Sequence, residues 1–170
     1  MTKNAPFFGG AERREALIAE LRSWTGTRFR RESGGRAKKG VYADCVSFVE
    51  AVLVNLGAIH PVAWPPYLNC GGGAAMRELL LKTMDDIPEM GRIWWRECGT
   101  PYRELAAQNK LIPGDVFFRS IGDDCHHLGI YGGDLTLWNC RARQGVGTAS
   151  VMDTYGLQDL QVIYRVFEKA

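Results

Sequence analysis

The sequence predicts an α+β domain in which N-terminal helices pack on a C-terminal antiparallel sheet of about five strands. Two observations carry this. Apolar residues recur at helical spacing early in the chain, and after Pro113-Gly114 short apolar runs alternate with Gly- and Asp-bearing turns. Helices first and strands second is the order of a layered α+β domain, not of the alternating units of a parallel sheet. Size agrees: 170 residues, 46% of them hydrophobic, suit a single domain over 1–170. A chain of that length buries roughly two thirds of its unfolded surface without metals or disulfides.

The elements follow in order. Leu17, Ile18, Leu21 and Trp24 share one face of a helix over 12–24, and Gly26 stops it. A polar, Gly-rich loop over 27–40 carries Arg28, Arg30, Arg31, Arg36, Lys38 and Lys39 against one acid, Glu32. Asp44 is a good N-cap, and Phe48, Val49, Val52, Leu53 and Leu56 then form a helical stripe that Gly57 ends. That helix spans about 45–56 and holds Cys45 in its first turn. The stretch 58–112 is mixed. It contains the loop Trp64-Pro65-Pro66-Tyr67, a Gly run at 71–73, a helix near 74–85 and a short helix after Thr100-Pro101. Strands are expected at 116–119, 127–131, 135–140, 148–152 and 161–167. Turns are expected at Gly122-Asp123-Asp124, Gly132-Gly133-Asp134 and 145–147.

Composition excludes several classes. The net charge is +2, without the strong basic excess of a dedicated nucleic-acid binder. No run approaches the ~18 apolar residues of a membrane span. Residues 1–14 lack an apolar core, so no secretory signal is expected. Cys45, Cys70, Cys98, Cys125 and Cys140 are odd in number, so a reducing compartment and free thiols are the simplest expectation. There is no CxxC pair, and His60, His126 and His127 do not stand at zinc-finger spacing, so no metal is expected.

Cys45 opens a helix, where orphan N–H groups and the dipole favour a thiolate and a lowered pKa. The alternative is a small buried hydrophobe. His126 and His127 begin a strand, and alternation lets only one of them face a given site. If 132–134 form a three-residue loop, His127 stands directly across from Asn139, near enough to hold the ring in one tautomer. Cys45, His127 and Asn139 would then serve as nucleophile, base and orienting group. A plain two-residue turn would oppose His127 to Cys140 instead. Cys125, beside His126, is read as a bystander.

Three segments carry a resemblance. Trp24-Thr25-Gly26-Thr27-Arg28-Phe29 through Tyr42-Ala43-Asp44-Cys45-Val46-Ser47-Phe48-Val49 resembles the Asp-Cys-Ser-Gly-Phe-Val helix, and the segment leading into it, of the NlpC family of papain-like cell-wall cysteine peptidases. Leu111-Ile112-Pro113-Gly114-Asp115-Val116-Phe117-Phe118 resembles that family's Pro-Gly-Asp-Leu-Val-Phe-Phe strand. His127-Leu128-Gly129-Ile130-Tyr131-Gly132-Gly133-Asp134 resembles its His-Val-Gly-Ile-Tyr hairpin. The Gly-Thr-x-Phe segment and the His-His pair look closest to the phage-tail branch.

The resemblance implies a papain-like α+β fold and hydrolysis of an amide in peptidoglycan stem peptides, commonly between D-glutamate and diaminopimelate or lysine. It implies no cofactor. It puts the nucleophile on Cys45, the base on His127 and the third polar residue on Asn139. Phe29, Asp44, Ser47, His126, Trp64 and Tyr67 are the expected substrate-binding residues. Peptidoglycan and, by the phage likeness, tail proteins are the expected partners, with action at the cell envelope or in a phage particle. The basic loop could meet an anionic envelope polymer or stem-peptide carboxylates, or simply be solvated. Three departures stand out. Phe29 replaces a usual Tyr, Ser47 replaces a Gly, and the enlarged insertion at about 58–112 adds Trp64, Tyr67, Trp94 and Trp95 as a lid, a substrate wall or extra core.

Overall fold

A computed structural model of the chain describes residues 5–31, 36–61, 92–98, 102–121, 124–150 and 160–168. Helix α1 (Ala11–Ser23) buries Leu17 and Leu21. Helix α2 (Cys45–Asn55) turns Phe48, Val49, Val52 and Leu53 inward, each worth about 1.5–3 kcal/mol on leaving water. Between them β2 (Arg28–Phe29) and β3 (Tyr42–Ala43) pair in parallel. A short helix, α3 (Tyr102–Ala107), follows Thr100-Pro101 as expected.

Among the described residues the sheet has seven strands rather than about five. Strands β5 (Val116–Ile121), β6 (Asp124–Gly133), β7 (Thr136–Arg141), β8 (Gly145–Ser150) and β9 (Leu160–Glu168) match the expected set with shifted ends. Two more, β1 (Ala5–Pro6) and β4 (Arg92–Cys98), pair antiparallel with β9. The order is β1-β9-β5-β6-β7-β8, with β4 also on β9. β4 pairs along Val162 to Glu168, a stretch that overlaps the partners of both β5 and β1, so it occupies the opposite edge of β9. Part of the insertion therefore completes the sheet: Trp94 and Trp95 stand across from Val166 and Arg165. Covering that edge removes a row of open backbone groups. Residues 62–91, with Trp64, Tyr67, the Gly run and the expected helix at 74–85, lie outside the described residues.

The two sheet faces differ. Val116, Leu128, Ile130, Trp138, Cys140, Val146 and Val166 point to the side covered by α1 and α2, in one core with Leu17, Trp24, Phe48 and Leu53. Phe117, Tyr131 and Leu137 point to the other side, where Leu105 and Leu111 meet them. The alternation is the period-2 pattern of strands buried on both faces. Among the described residues no helix is long and apolar enough to cross a membrane.

Two turns depart from expectation. Residues 145–147 belong to β8, and the β7–β8 turn lies at 142–144, with the Gln144 N–H donating to Arg141 O at 3.1 Å. Gly145 has φ +73, and its backbone rests on the Thr27 carbonyl, leaving no room for a Cβ. The β6–β7 hairpin turns on two residues, Asp134 and Leu135, at φ 47 and 56, not on three. Both central residues in the left-handed region define the turn that matches strand twist.

Candidate active site

The start of α2 is built by a reciprocal cap. The Ser47 N–H donates to Asp44 Oδ1 at 2.8 Å, and the Asp44 N–H donates to Ser47 Oγ at 3.0 Å. Both residues are buried. The hydroxyl of Ser47 thus does backbone work that a Gly at this position lacks. The cap orients Cys45, the next residue after Asp44, at the first turn.

Cys45 is half-buried and carries a free thiol. Burial is the dominant influence on it and pushes its pKa up to about 11 from 9.0. The backbone N–H of Leu128 opposes that rise, the Asp44 carboxylate reinforces it, and the N–H groups of Val46 and Cys45 itself pull the other way. The expected lowering by the helix N-terminus is therefore overturned: desolvation of the thiolate outweighs the donors. Cys140, also free and fully buried, donates its thiol to Ala43 O at 3.3 Å. Burial, then the charges of Cys45 and Asp44, raise it to about 12.

Cys45 packs against the core that Leu128 and Cys140 join, with the Leu128 N–H near its sulfur, beside the strand that bears His127. The β6–β7 ladder runs from Gly133–Thr136 through Tyr131–Leu137 to Gly129–Asn139. Continued one step, it would pair Leu128 with Cys140, and both of these residues turn toward the start of α2 instead. The nucleophile candidate sits where the two strands part.

The expected direct pair of His127 with Asn139 is corrected by the same ladder. Asn139 faces Gly129, and His127 is its diagonal neighbour. The turn at Asp134-Leu135 moves the register by three, and a bulge at Gly132, between Tyr131 and Gly133, takes one back, a net shift of two. Two odd shifts restore the parity, so His127 and Asn139 keep the same sheet face. The diagonal spacing on one face is about 7–8 Å between backbones, within reach of long side chains. His127 Nε2 and Asn139 Oδ1 are both buried, and Asn139 Oδ1 accepts no hydrogen bond among the described residues.

A second bulge lies just before. Arg119 pairs with His127 and Ser120 with Cys125, so His126 is the extra residue on β6. Strict alternation from Cys125 to His127, assumed in choosing between the two His residues, is interrupted there. Phe29 is half-buried on β2 and packs against the main core. Asp44 and Ser47 belong to the cap, and Trp64 and Tyr67 lie outside the described residues. Among the described residues no three His, Cys, Asp or Glu side chains are grouped so as to hold a metal ion.

Neither a family model nor a curated protein sequence matches the chain. Solved structures do. An NlpC/P60 family protein from Bacillus cereus is similar over 88% of this chain, with TM-score 0.55 and 15% identity. The NlpC/p60 domain of the peptidoglycan hydrolase SagA is similar over 88% of this chain and 96% of its own length, with TM-score 0.50 and 15% identity. The chain has the NlpC/P60 fold. RipD from Mycobacterium tuberculosis, a non-catalytic NlpC/p60 domain protein adapted to peptidoglycan binding, is also similar, with TM-score 0.51 and 12% identity over 90% of this chain and 95% of its own. This chain spans only 39% of the Bacillus cereus protein, so it corresponds to one part of that molecule.

A partly buried ion pair stands at the start of β5. Asp115, within Pro113-Gly114-Asp115, accepts from Arg165 Nε and Nη2, each at 2.7 Å, and from the Ile112 N–H at 2.9 Å. Arg165 also reaches Lys110 O at 2.6 Å. Burial raises the Asp115 pKa despite that guanidinium. The pair pins the start of β5 to β9, and the motif's signal was a bare Asp with no visible partner in sequence.

Proposed function

We propose that the chain is a cysteine hydrolase of peptidoglycan stem peptides, with Cys45 as nucleophile, His127 as general base and acid, and Asn139 as the group that orients His127. The observation that carries this is the capped Cys45 packed against the core that Leu128 of β6 joins, while His127 and Asn139 share one face of the adjoining strands. The buried, unaccompanied Asn139 Oδ1 supports the third role, since an imidazole N–H is the donor its diagonal neighbour carries.

The high pKa of Cys45 bears on the mechanism. A thiol held neutral by burial must lose its proton as it attacks, so His127 acts as a base in the attack itself. Sγ bonds to the amide carbonyl carbon, His127 takes the thiol proton and then passes it to the departing amine. Water, deprotonated by His127, then cleaves the thioester. The backbone N–H of Cys45 at the helix start is the proposed oxyanion donor. The bond favoured is D-glutamyl to diaminopimelate or lysine, with Phe29, His126, Trp64 and Tyr67 near the substrate. A place in a phage tail rests on the sequence likeness alone.

One specific observation favours a second reading, a non-catalytic peptidoglycan-binding module: RipD has this fold and is described as non-catalytic. Incubation with purified peptidoglycan and mass spectrometry of the muropeptides separates the two. Soluble fragments with one new amine terminus, absent with Cys45→Ala, are expected. Undiminished release by Cys45→Ala, or no release by the unmodified chain, overturns the enzyme reading.

A further inference from the structure

We propose that Arg141 and the open floor at Gly147 form a carboxylate subsite that recognises the acid group on the acyl side of the bond cleaved. This deepens the reading of Cys45, His127 and Asn139 given above and rests on it.

Gly147 stands directly across from Asn139 in the β7–β8 ladder, and Gly129 stands across from it on β6. The three residues make a row, Gly129–Asn139–Gly147, on one sheet face. The Phe117 ring fills the space over Gly129, whereas no described residue lies within 4 Å of the position a Cβ on Gly147 would take. Asn139 is therefore walled on one side and open on the other.

Arg141 follows Asn139 by two residues and so shares its face. Arg141 lies just past Gly129–Asn139, the last pair of the β6–β7 ladder, and pairs with Gly145 on β8. Its side chain is half-buried and makes one hydrogen bond, Nη2 to Thr148 O at 3.2 Å. Its Nε is buried without an acceptor, and no acid pairs with it among the described residues. A guanidinium kept partly out of water with no anion leaves its planar fork available, and that fork matches a carboxylate. The surroundings add positive charge: Arg143 is exposed in the next turn, and Arg28 is exposed on β2, which Thr27 O ties to β8 through the Val146 N–H at 2.8 Å.

In a γ-linked D-glutamyl residue the α-carboxylate is free and hangs a short methylene arm from the scissile carbonyl. Held beside Asn139, that carbonyl would place the acid over Gly147 and within range of Arg141. The leaving-side diamino acid also has a carboxylate, so the two sources are tested apart.

The full chain carrying Cys45→Ala, titrated calorimetrically with defined stem peptides, reads binding without turnover. The peptides carry the acid or the carboxamide separately at the acyl-side α-position and at the leaving-side carboxyl. Acyl-side amidation is expected to weaken binding by about tenfold to a hundredfold. Adding Arg141→Gln should remove that difference, and Arg141→Lys should keep part of it. Gly147→Val, which fills the floor while leaving the guanidinium, should weaken both acyl-side forms. The proposal is overturned if the acid and amide bind alike, if Arg141→Gln preserves the difference, if only leaving-side amidation matters, or if no peptide binds. Muropeptide release by the unmodified chain reports separately on the hydrolase reading. Should Arg141→Gln misfold, the acid-to-amide ratio and Gly147→Val decide the matter.

Discussion

Gly129 faces Asn139 across the β6–β7 ladder while the Phe117 ring occupies the place of its missing side chain. The glycine lets the tip of a buried aromatic ring reach the strand beside the candidate site. Gly129→Ala forces a Cβ into that ring, and overpacking of this kind costs about 1–3 kcal/mol. The expected result is a lower melting temperature, recovered in part by Phe117→Leu. An unchanged melting curve for Gly129→Ala would contradict the packing described.

The Asp44–Ser47 cap supplies a second test. Asp44→Ala removes a side-chain acceptor at a helix start and should cost about 0.5–2 kcal/mol. Ser47→Gly should also destabilise the chain, because the buried Asp44 N–H loses its acceptor. Chemical denaturation measures both.

The thiol chemistry of Cys45 depends on pH in a stated direction. Its pKa is raised from 9.0 to about 11 in the folded chain. The neutral thiol is thus favoured by folding, and the stability it contributes is present below pH 9.0 and lost as pH rises toward about 11. In His127→Ala, where no imidazole takes the proton, iodoacetamide labelling of Cys45 should climb only toward about pH 11. Mass-resolved labelling rates check this, and a limb near neutrality in that variant would refute it.

Glu20 predicts acid sensitivity. Burial opposes its ionisation, but hydrogen bonds from Asn55, Lys39 and Trp24 overcome that and lower its pKa below 4.5. Those bonds, each 2.8 Å, join α1 to α2 and to the basic loop. A lowered folded pKa gives stability that is present above the unfolded value and lost as pH falls through the folded one. The unmodified chain should therefore exceed Glu20→Gln in stability at neutral pH, with the gap closing below about pH 4.5. Denaturation midpoints at several pH values measure it.

The Asp115–Arg165 pair predicts a large loss from one substitution. Arg165→Met strands a buried carboxylate, which costs about 3–5 kcal/mol. Adding Asp115→Asn removes the charge but keeps an acceptor for the Ile112 N–H, so the double variant should regain much of the loss. A double-mutant cycle in urea provides the measurement.

Much of the architecture was legible locally. The α2 start at Asp44-Cys45, the α1 stripe and the later strands follow from caps, periodicity and turn residues, which act over a few positions. β4 was not legible as a strand, because what makes Arg92–Cys98 extend is the open edge of β9 far along the chain. The hairpin was half legible. Gly132-Gly133-Asp134 signalled a turn, but whether it held two residues or three, and whether a bulge followed, depended on how Gly132 met the Trp138 indole. Arg141 and Gly147 went unremarked because their relation to Asn139 exists only across strands.

The sequence by itself determined the α+β order, the cap that begins the nucleophile's helix and the residue types of the candidate site, since each is set by neighbours in the chain. Only the packed fold sets the burial that raises the Cys45 thiol, the diagonal placing of His127 and Asn139, and an Arg141 guanidinium with no acid beside it among the described residues. Burial and cross-strand register produce all three, and both come from residues far apart in sequence.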